Sequence, residues 1–384
     1  MALCLAGALG ACAPAPDPGT TPSRAMELRA AAREASARGD DGACVALLEQ
    51  AVALEPGGAE AWEELGRARE KRGDATGAVQ AYEAAILAAP QRYQAHLDLA
   101  ILCMRSGMTG RARSELQEAL DAAPGNASIH WNYGAALVQV GKPEEARQHL
   151  VAALRLDPSL GPAHAELGRV EALAGHTQLA LAHFAQAESL GVHSAIFHAN
   201  WGLALLQGDS PDAAADQLRQ AVAADSTQAA WWNHLGVAEL QAGRQAPAEG
   251  SFRTALSLAP EDDVRFNLAN LLVQAGRHAE AEALLSPPPQ RADLLALRGL
   301  ALRGLGRSTE ARDCLAAAAG KAPRDVNVLN NYGVLLAETG DVPGALEVWR
   351  RVLAIEPANQ TAQENLKARG GGAATAPRGP QHGP

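Results

Sequence analysis

The sequence predicts an all-α solenoid of about ten helix-turn-helix repeats. Three observations predict it. Small residues return every 34 positions, as at Ala32, Gly66, Ala100, Gly134, Gly168, Gly202 and Gly236, and again at Cys44, Ala78, Ala112, Ala146, Ala180, Ala214 and Ala248. That spacing is the length of one two-helix unit. Alanine dominates the composition and aromatic residues make up only 4%, which suits helices that approach closely. Glycine in the middle and proline near the end then punctuate most units, with Val192 and Ser226 as exceptions to the proline.

The elements follow from that register. Units start near 25, 59, 93, 127, 161, 195 and 229 with no insertion between them. The register slips by one residue at Glu261. A shorter unit then starts near 262 and ends in Ser286 and three prolines, a candidate kink within one array. Two more units start near 292 and 326, the last running to Asn359. Within a unit, glycine near the fifteenth place (Gly39, Gly73, Gly107, Gly141, Gly175, Gly243, Gly276, Gly306, Gly340) suits the left-handed residue that ends the first helix, here helix A. Proline near the end (Pro56, Pro90, Pro124, Pro158, Pro260) stops the second, helix B. Residues 360–369 read as a solvating cap helix, and the Gly/Pro-rich residues 370–384 as a disordered tail. No single unit buries its apolar face, so stability has to come from stacked neighbours.

The marks Trp62, Leu65, Gly66, Ala78, Tyr82, Ala85 and Pro90, and again Trp232, Leu235, Gly236, Ala248, Phe252, Ala255 and Pro260, resemble the pattern of the tetratricopeptide repeat family. Where that pattern has tyrosine at the eleventh place, this chain has Arg69, Cys103, Leu137 and Glu171. The resemblance implies a right-handed α-solenoid, a concave face lined by helix A of each unit, and a protein or peptide partner held there.

Composition and motifs narrow the chemistry. The net charge of −10 offers no basic face for nucleic acid. No phosphate-binding loop, zinc-protease helix or nucleophile elbow is present, so no catalytic residue and no cofactor is predicted. Cys4, Cys12, Cys44, Cys103 and Cys314 show no metal-ligand spacing, and Cys44 and Cys103 fall at small buried places. His96, His130, His164 and His198 recur one repeat apart. Helix layers lie about 8–10 Å apart, whereas zinc–nitrogen bonds are about 2 Å. Histidines of successive units therefore cannot share an ion, and they read as substitutes for the family's tryptophan.

The concave face carries the functional signal. The sixth place of successive units holds Asp98, Asn132, Glu166, Asn200, His234, Asn267 and Asn331. A carboxamide both donates and accepts, so a row of asparagines suits a peptide backbone. The row partly resembles the asparagine ladder of O-linked N-acetylglucosamine transferases, broken here by Asp98, Glu166 and His234. Leu97, Ile101, Met104, Trp131, Leu203, Leu206, Val237 and Leu240 stand beside it as apolar walls, with Val138 and Phe266 nearby. Glu60, Glu63, Arg67, Glu70 and Lys71 make the N-terminal groove charged.

Residues 1–12 read as a signal-like segment. Leu9, Gly10, Ala11 and Cys12 resemble a lipobox with Cys12 as the lipidated residue, followed by a proline-rich tether over 13–24. No basic residue precedes Cys12, which points to a start upstream of Met1. Ala13 resembles a residue permitting outer-membrane sorting. The expectation is a non-catalytic scaffold on the periplasmic side of the bacterial outer membrane, similar to repeat lipoproteins of pilus and envelope assembly; Asn330-Asn331-Tyr332-Gly333 is similar to a segment of those lipoproteins. A cytoplasmic adaptor and the recognition domain of a larger enzyme complex, such as a glycosyltransferase, are the alternatives. Membrane contact would come only through the lipid.

Overall fold

A computed structural model of the chain describes residues 21–370, with side chains from 24 to 369. The lipobox with Cys12, most of the tether and residues 371–384 lie outside the described residues. All regular structure among the described residues is helical, in twenty-one helices. They form two compact units, divided between Val192 and His193. The three prolines after Ser286 lie within the second unit.

The first unit comprises five hairpins: α1 (Thr21–Ala37) with α2 (Asp41–Leu54), α3 (Ala59–Lys71) with α4 (Ala75–Ala88), α5 (Tyr93–Arg105) with α6 (Thr109–Ala122), α7 (Ala127–Gln139) with α8 (Pro143–Leu156), and α9 (Gly161–Leu173) with α10 (Thr177–Ser189). The second has α11 (Ala195–Gln207) with α12 (Pro211–Ala224), α13 (Ala229–Gln241) with α14 (Gln245–Leu258), α15 (Asp262–Gln274) with α16 (His278–Leu284), α17 (Ala292–Gly304) with α18 (Ser308–Lys321), α19 (Val326–Glu338) with α20 (Val342–Ile355), and a closing α21 (Gln360–Gly370). Within each unit every helix packs on the next, and in several places the first helices of successive hairpins also touch. The predicted α-solenoid is the architecture of each unit.

The turn inside each hairpin is built one way. A glycine with φ between 72° and 90° ends helix A in nine of the ten hairpins. The following N–H donates back five residues, as from Asp74 to the Arg69 carbonyl (2.9 Å) and from Met108 to Cys103 (2.8 Å). This satisfies carbonyls that the helix end would otherwise leave open. In the sixth hairpin Asp209 takes the left-handed conformation at φ 52° and Ser210 donates to Leu205. Aspartate tolerates that region better than most residues. Asp40, Asp74 and Asp341 then cap the N-termini of α2, α4 and α20 with their side chains.

Helix contact within a hairpin depends on size matching. The eighth place of helix A faces a bulky residue sixteen positions on in helix B. Tyr82, Phe184, Phe252 and Trp349 sit against Gly66, Gly168, Gly236 and Gly333. A Cβ on Gly236 would lie 2.5 Å from the Phe252 ring, too close for any side chain. Leucine stands sixteen on from Gly134, Gly202 and Gly299, and also wherever the eighth place is alanine (Ala32, Ala100, Ala269). All of these residues are buried. Helix α16 has only 7 residues against 13 or 14 in the other second helices. The prolines beyond it lack the N–H that another turn requires.

In five hairpins the fourth-place residue of the first helix ties it to the loop before it. Trp62 Nε1 donates to the Pro56 carbonyl (2.9 Å) and Trp232 Nε1 to that of Ser226 (2.9 Å). His96, His130 and His164 place Nε2 at 3.1, 3.1 and 3.2 Å from the carbonyls of Pro90, Pro124 and Pro158. In α21 the Gln363 amide reaches Pro357 in the same way (2.9 Å). These side chains share an N–H aimed at the carbonyl six residues back, so histidine does there what tryptophan does.

Candidate protein-interaction groove

The first helices of the hairpins carry the predicted groove residues, and the structure sorts them. In the first unit the charged positions are paired with one another across hairpins. Arg29 reaches Glu60 (2.8 Å) and Glu64 (3.0 Å), Arg67 reaches Asp98 (2.7 Å), Lys71 reaches Asp41 (2.7 Å), Arg92 reaches Glu63 (2.5 Å), and Arg105 pairs with Glu70. Asp98 also accepts from Gln94 (2.9 Å), and burial raises its pKa despite the nearby Arg67. These charges tie successive hairpins together.

The middle of the first unit is more closed than the sequence implies. Leu97 is buried and packs with half-buried Ile101 and Met104. Asn132 is buried too, and its amide donates to the Ser128 carbonyl one turn back (2.8 Å). A helix's own carbonyl therefore takes the donor expected to meet a peptide. Trp131 packs beside Leu167 and Val170, and Val138 is buried in the same cluster. Glu166 pairs with Arg169 on its own helix (2.6 Å).

In the second unit, Leu206, Trp231 and Trp232 pack against the cluster around Leu218 and Leu235, and Val237 and Leu240 pack against the Phe252 cluster. Leu203 and Asn200 are half-buried. His234 is half-buried with Nδ1 enclosed and unpartnered, and burial lowers its pKa, favouring the neutral ring. Asn267 donates to the Asn233 carboxamide one repeat earlier (2.9 Å), a direct asparagine-to-asparagine contact.

The C-terminal part of this unit holds an open cavity of about 600 Å³ between helices α15, α17, α19 and α21. Asn331 lines it, joined by Asn270, Asn327, Asn330 and Asn359. Phe266, Leu297 and Leu300 form the apolar wall, and Asp293 and Asp325 add carboxylates. Asn330 donates to the Asn359 side-chain Oδ1 (3.2 Å), which also accepts the Ala362 N–H (3.0 Å). That relay fixes the Asn330 amide so that its own Oδ1 is left without a partner. Four of these five asparagines lie off the sixth place, where stepping by a fixed period does not look. The signal available was their density, with Asn327, Asn330 and Asn331 within one helix. Among the described residues no helix is long and apolar enough to cross a membrane.

A search of curated proteins found no match to the chain. Models of the tetratricopeptide repeat match residues 29–92, 200–263 and 297–360, residues 70–130 and 104–173, and residues 263–287. Among solved structures, a tetratricopeptide repeat protein from Parabacteroides merdae is similar at 16% identity and a TM-score of 0.50, over 65% of this chain and 99% of that one. A structure of pilF from Pseudomonas aeruginosa is similar at 19% identity and a TM-score of 0.49, over 56% of this chain and 97% of that one. The Parabacteroides likeness bears on the fold alone. The repeat models account for most of the described hairpins, and the small, bulky and ring N–H places recur as the repeat requires: the chain belongs to the tetratricopeptide repeat family.

Proposed function

We propose that this chain is a non-catalytic scaffold that holds an extended segment of a partner protein in the asparagine-lined cavity of its second unit. The carrying observation is the set of five carboxamides beside an apolar wall. Carboxamides offer a donor and an acceptor to each peptide unit without selecting its side chain. Phe266, Leu297 and Leu300 supply the area that an apolar partner residue would cover. No cofactor is needed for this role. The first unit, with its charges paired internally, serves as the rigid part.

We place the scaffold in the bacterial envelope, anchored through Cys12. The support is the lipobox-like Leu9-Gly10-Ala11-Cys12 and the proline-rich tether behind it. Membrane partitioning of the native chain beside Cys12→Ala tests this. Release of the variant alone into the soluble fraction is expected; a parent that is both soluble and of unprocessed mass would overturn the envelope anchor and leave a cytoplasmic adaptor.

The groove has its own test. Extended peptides selected from a library on the full chain are expected to lose affinity about 5-fold for each of Asn331→Ala and Asn270→Ala, since a lost backbone hydrogen bond costs about 1 kcal/mol. Selected peptides indifferent to both substitutions would remove the cavity as the binding site.

A further inference from the structure

Histidines of successive repeats are too far apart to share an ion, but two hairpins of the first unit each hold a second histidine nineteen residues after the first. His130 Nδ1 on α7 lies 3.2 Å from His149 Nδ1 on α8. His164 Nδ1 on α9 lies 3.1 Å from His183 Nδ1 on α10. The ring centroids are 5.4 and 5.3 Å apart, with interplanar angles of 37° and 35°. The same arrangement is thus built twice, across the two helices of neighbouring hairpins.

The tautomers matter. His130 Nε2 faces the Pro124 carbonyl and His164 Nε2 faces that of Pro158. A carbonyl only accepts, so each of these nitrogens carries its proton, and in the neutral ring Nδ1 keeps its lone pair. A backbone carbonyl on the far nitrogen is also what orients imidazoles that bind metals. His149 and His183 need only take the same tautomer for two lone pairs to face each other in each hairpin. Tetrahedral zinc with bonds of about 2.05 Å holds its two nitrogens about 3.3 Å apart. The observed separations, 3.2 and 3.1 Å, are close to that.

We propose that His130 with His149, and His164 with His183, form two equivalent clips for a divalent transition-metal ion of the zinc class, each tying the two helices of its hairpin together. No group of three or more candidate metal ligands occurs among the described residues, so solvent completes each coordination shell. Burial, and after it the partner imidazole, lower the pKa of His149 and His183 and favour the neutral rings; Glu145 and Glu171 oppose this and are themselves paired with Lys142 (2.5 Å) and Arg147 (2.7 Å). The Tyr133 ring packs 4.3 Å from that of His149 and limits its rotation. Imidazole suits zinc, nickel and copper, and binding requires the neutral rings.

The hairpins on either side supply the control substitutions. At the same two places His96 meets Glu115 (2.8 Å) and His198 meets Gln217 (2.8 Å). His149→Gln and His183→Gln therefore reproduce a pair that the fold already accepts. Calorimetric titration of the full chain with Zn²⁺, together with thermal unfolding in its presence, tests the clips. The double variant is expected to bind two fewer ions per chain than the parent, and each single variant one fewer. Zn²⁺ is expected to raise the Tm of the parent more than that of the double variant. Equal uptake by parent and double variant, with unchanged circular dichroism, would overturn the proposal and leave two imidazole–imidazole hydrogen bonds. The cysteines are present in every variant, so thiol binding cancels from the comparison.

Discussion

Trp349→Ala is expected to destabilise the second unit by about 3–5 kcal/mol, the range for removing a large buried aromatic side chain. Trp349 is fully buried on α20, and its cluster joins α18, α19 and α21 through Leu315, Val334, Leu335 and Ala362. The ring lies directly on the backbone of Gly333, where a Cβ would be 2.5 Å from the indole nitrogen. Nothing on that side can collapse to fill the space, so most of the void persists. Helix α21 packs on the same cluster and should lose order first, since a repeat array is held by its nearest-neighbour interfaces. Trp349→Phe provides the contrast. The indole Nε1 is buried without a hydrogen-bond partner, so phenylalanine loses volume but removes an unmet donor. Phe184 and Phe252 fill the equivalent place in two other hairpins. The Phe variant should stay within about 1.5 kcal/mol of the parent. Urea unfolding followed by circular dichroism measures both. Equal losses for Ala and Phe would mean that the ring's packing is not what holds the last hairpin.

The hairpins were legible because their physics is local and repeated. A glycine opposite a bulky residue, a left-handed glycine at the turn and a proline after helix B each mark a position that tolerates few residue types. Repetition at a fixed interval separates such marks from chance. The groove was less legible for a related reason. A period assigns a residue to a place on a helix but does not say which neighbour its side chain meets. Asn132 and Asn331 hold the same place in different repeats; one is buried against its own helix and the other lines the cavity. The other four asparagines of the cavity come from other places, Asn359 from the end of the last repeat just before α21. The histidine pairs required comparing two places nineteen residues apart within one repeat, a comparison that stepping from repeat to repeat never makes. The charged N-terminal face was visible as charge, yet its pairing across about one repeat length, as in Arg67 with Asp98, leaves little of it free for a partner.

Arg92→Ala is expected to cost the first unit about 3 kcal/mol, the low end for breaking a buried ion pair. The Glu63 side chain is only 2% exposed on α3, and Arg92, at the start of α5, places Nε 2.5 Å from its carboxylate. Glu63 is the largest influence holding the Arg92 guanidinium protonated, and Glu60 adds to it at 3.4 Å. Arg92 is itself partly open to water, which is why the low end applies. Truncating it leaves a carboxylate enclosed between two repeats with its charged partner gone. Arg92→Lys keeps the charge but loses the planar fork, so its loss should be intermediate. Converting both residues to methionine removes the pair and the stranded charge together, and such exchanges are often close to neutral. A double-mutant cycle of Glu63→Met and Arg92→Ala, read by urea unfolding, separates the terms. A stranded charge requires that Arg92→Ala cost far less once Glu63 is methionine. The same loss in both backgrounds would show that Arg92 acts through its stem packing, and that this junction between repeats does not depend on its ion pair.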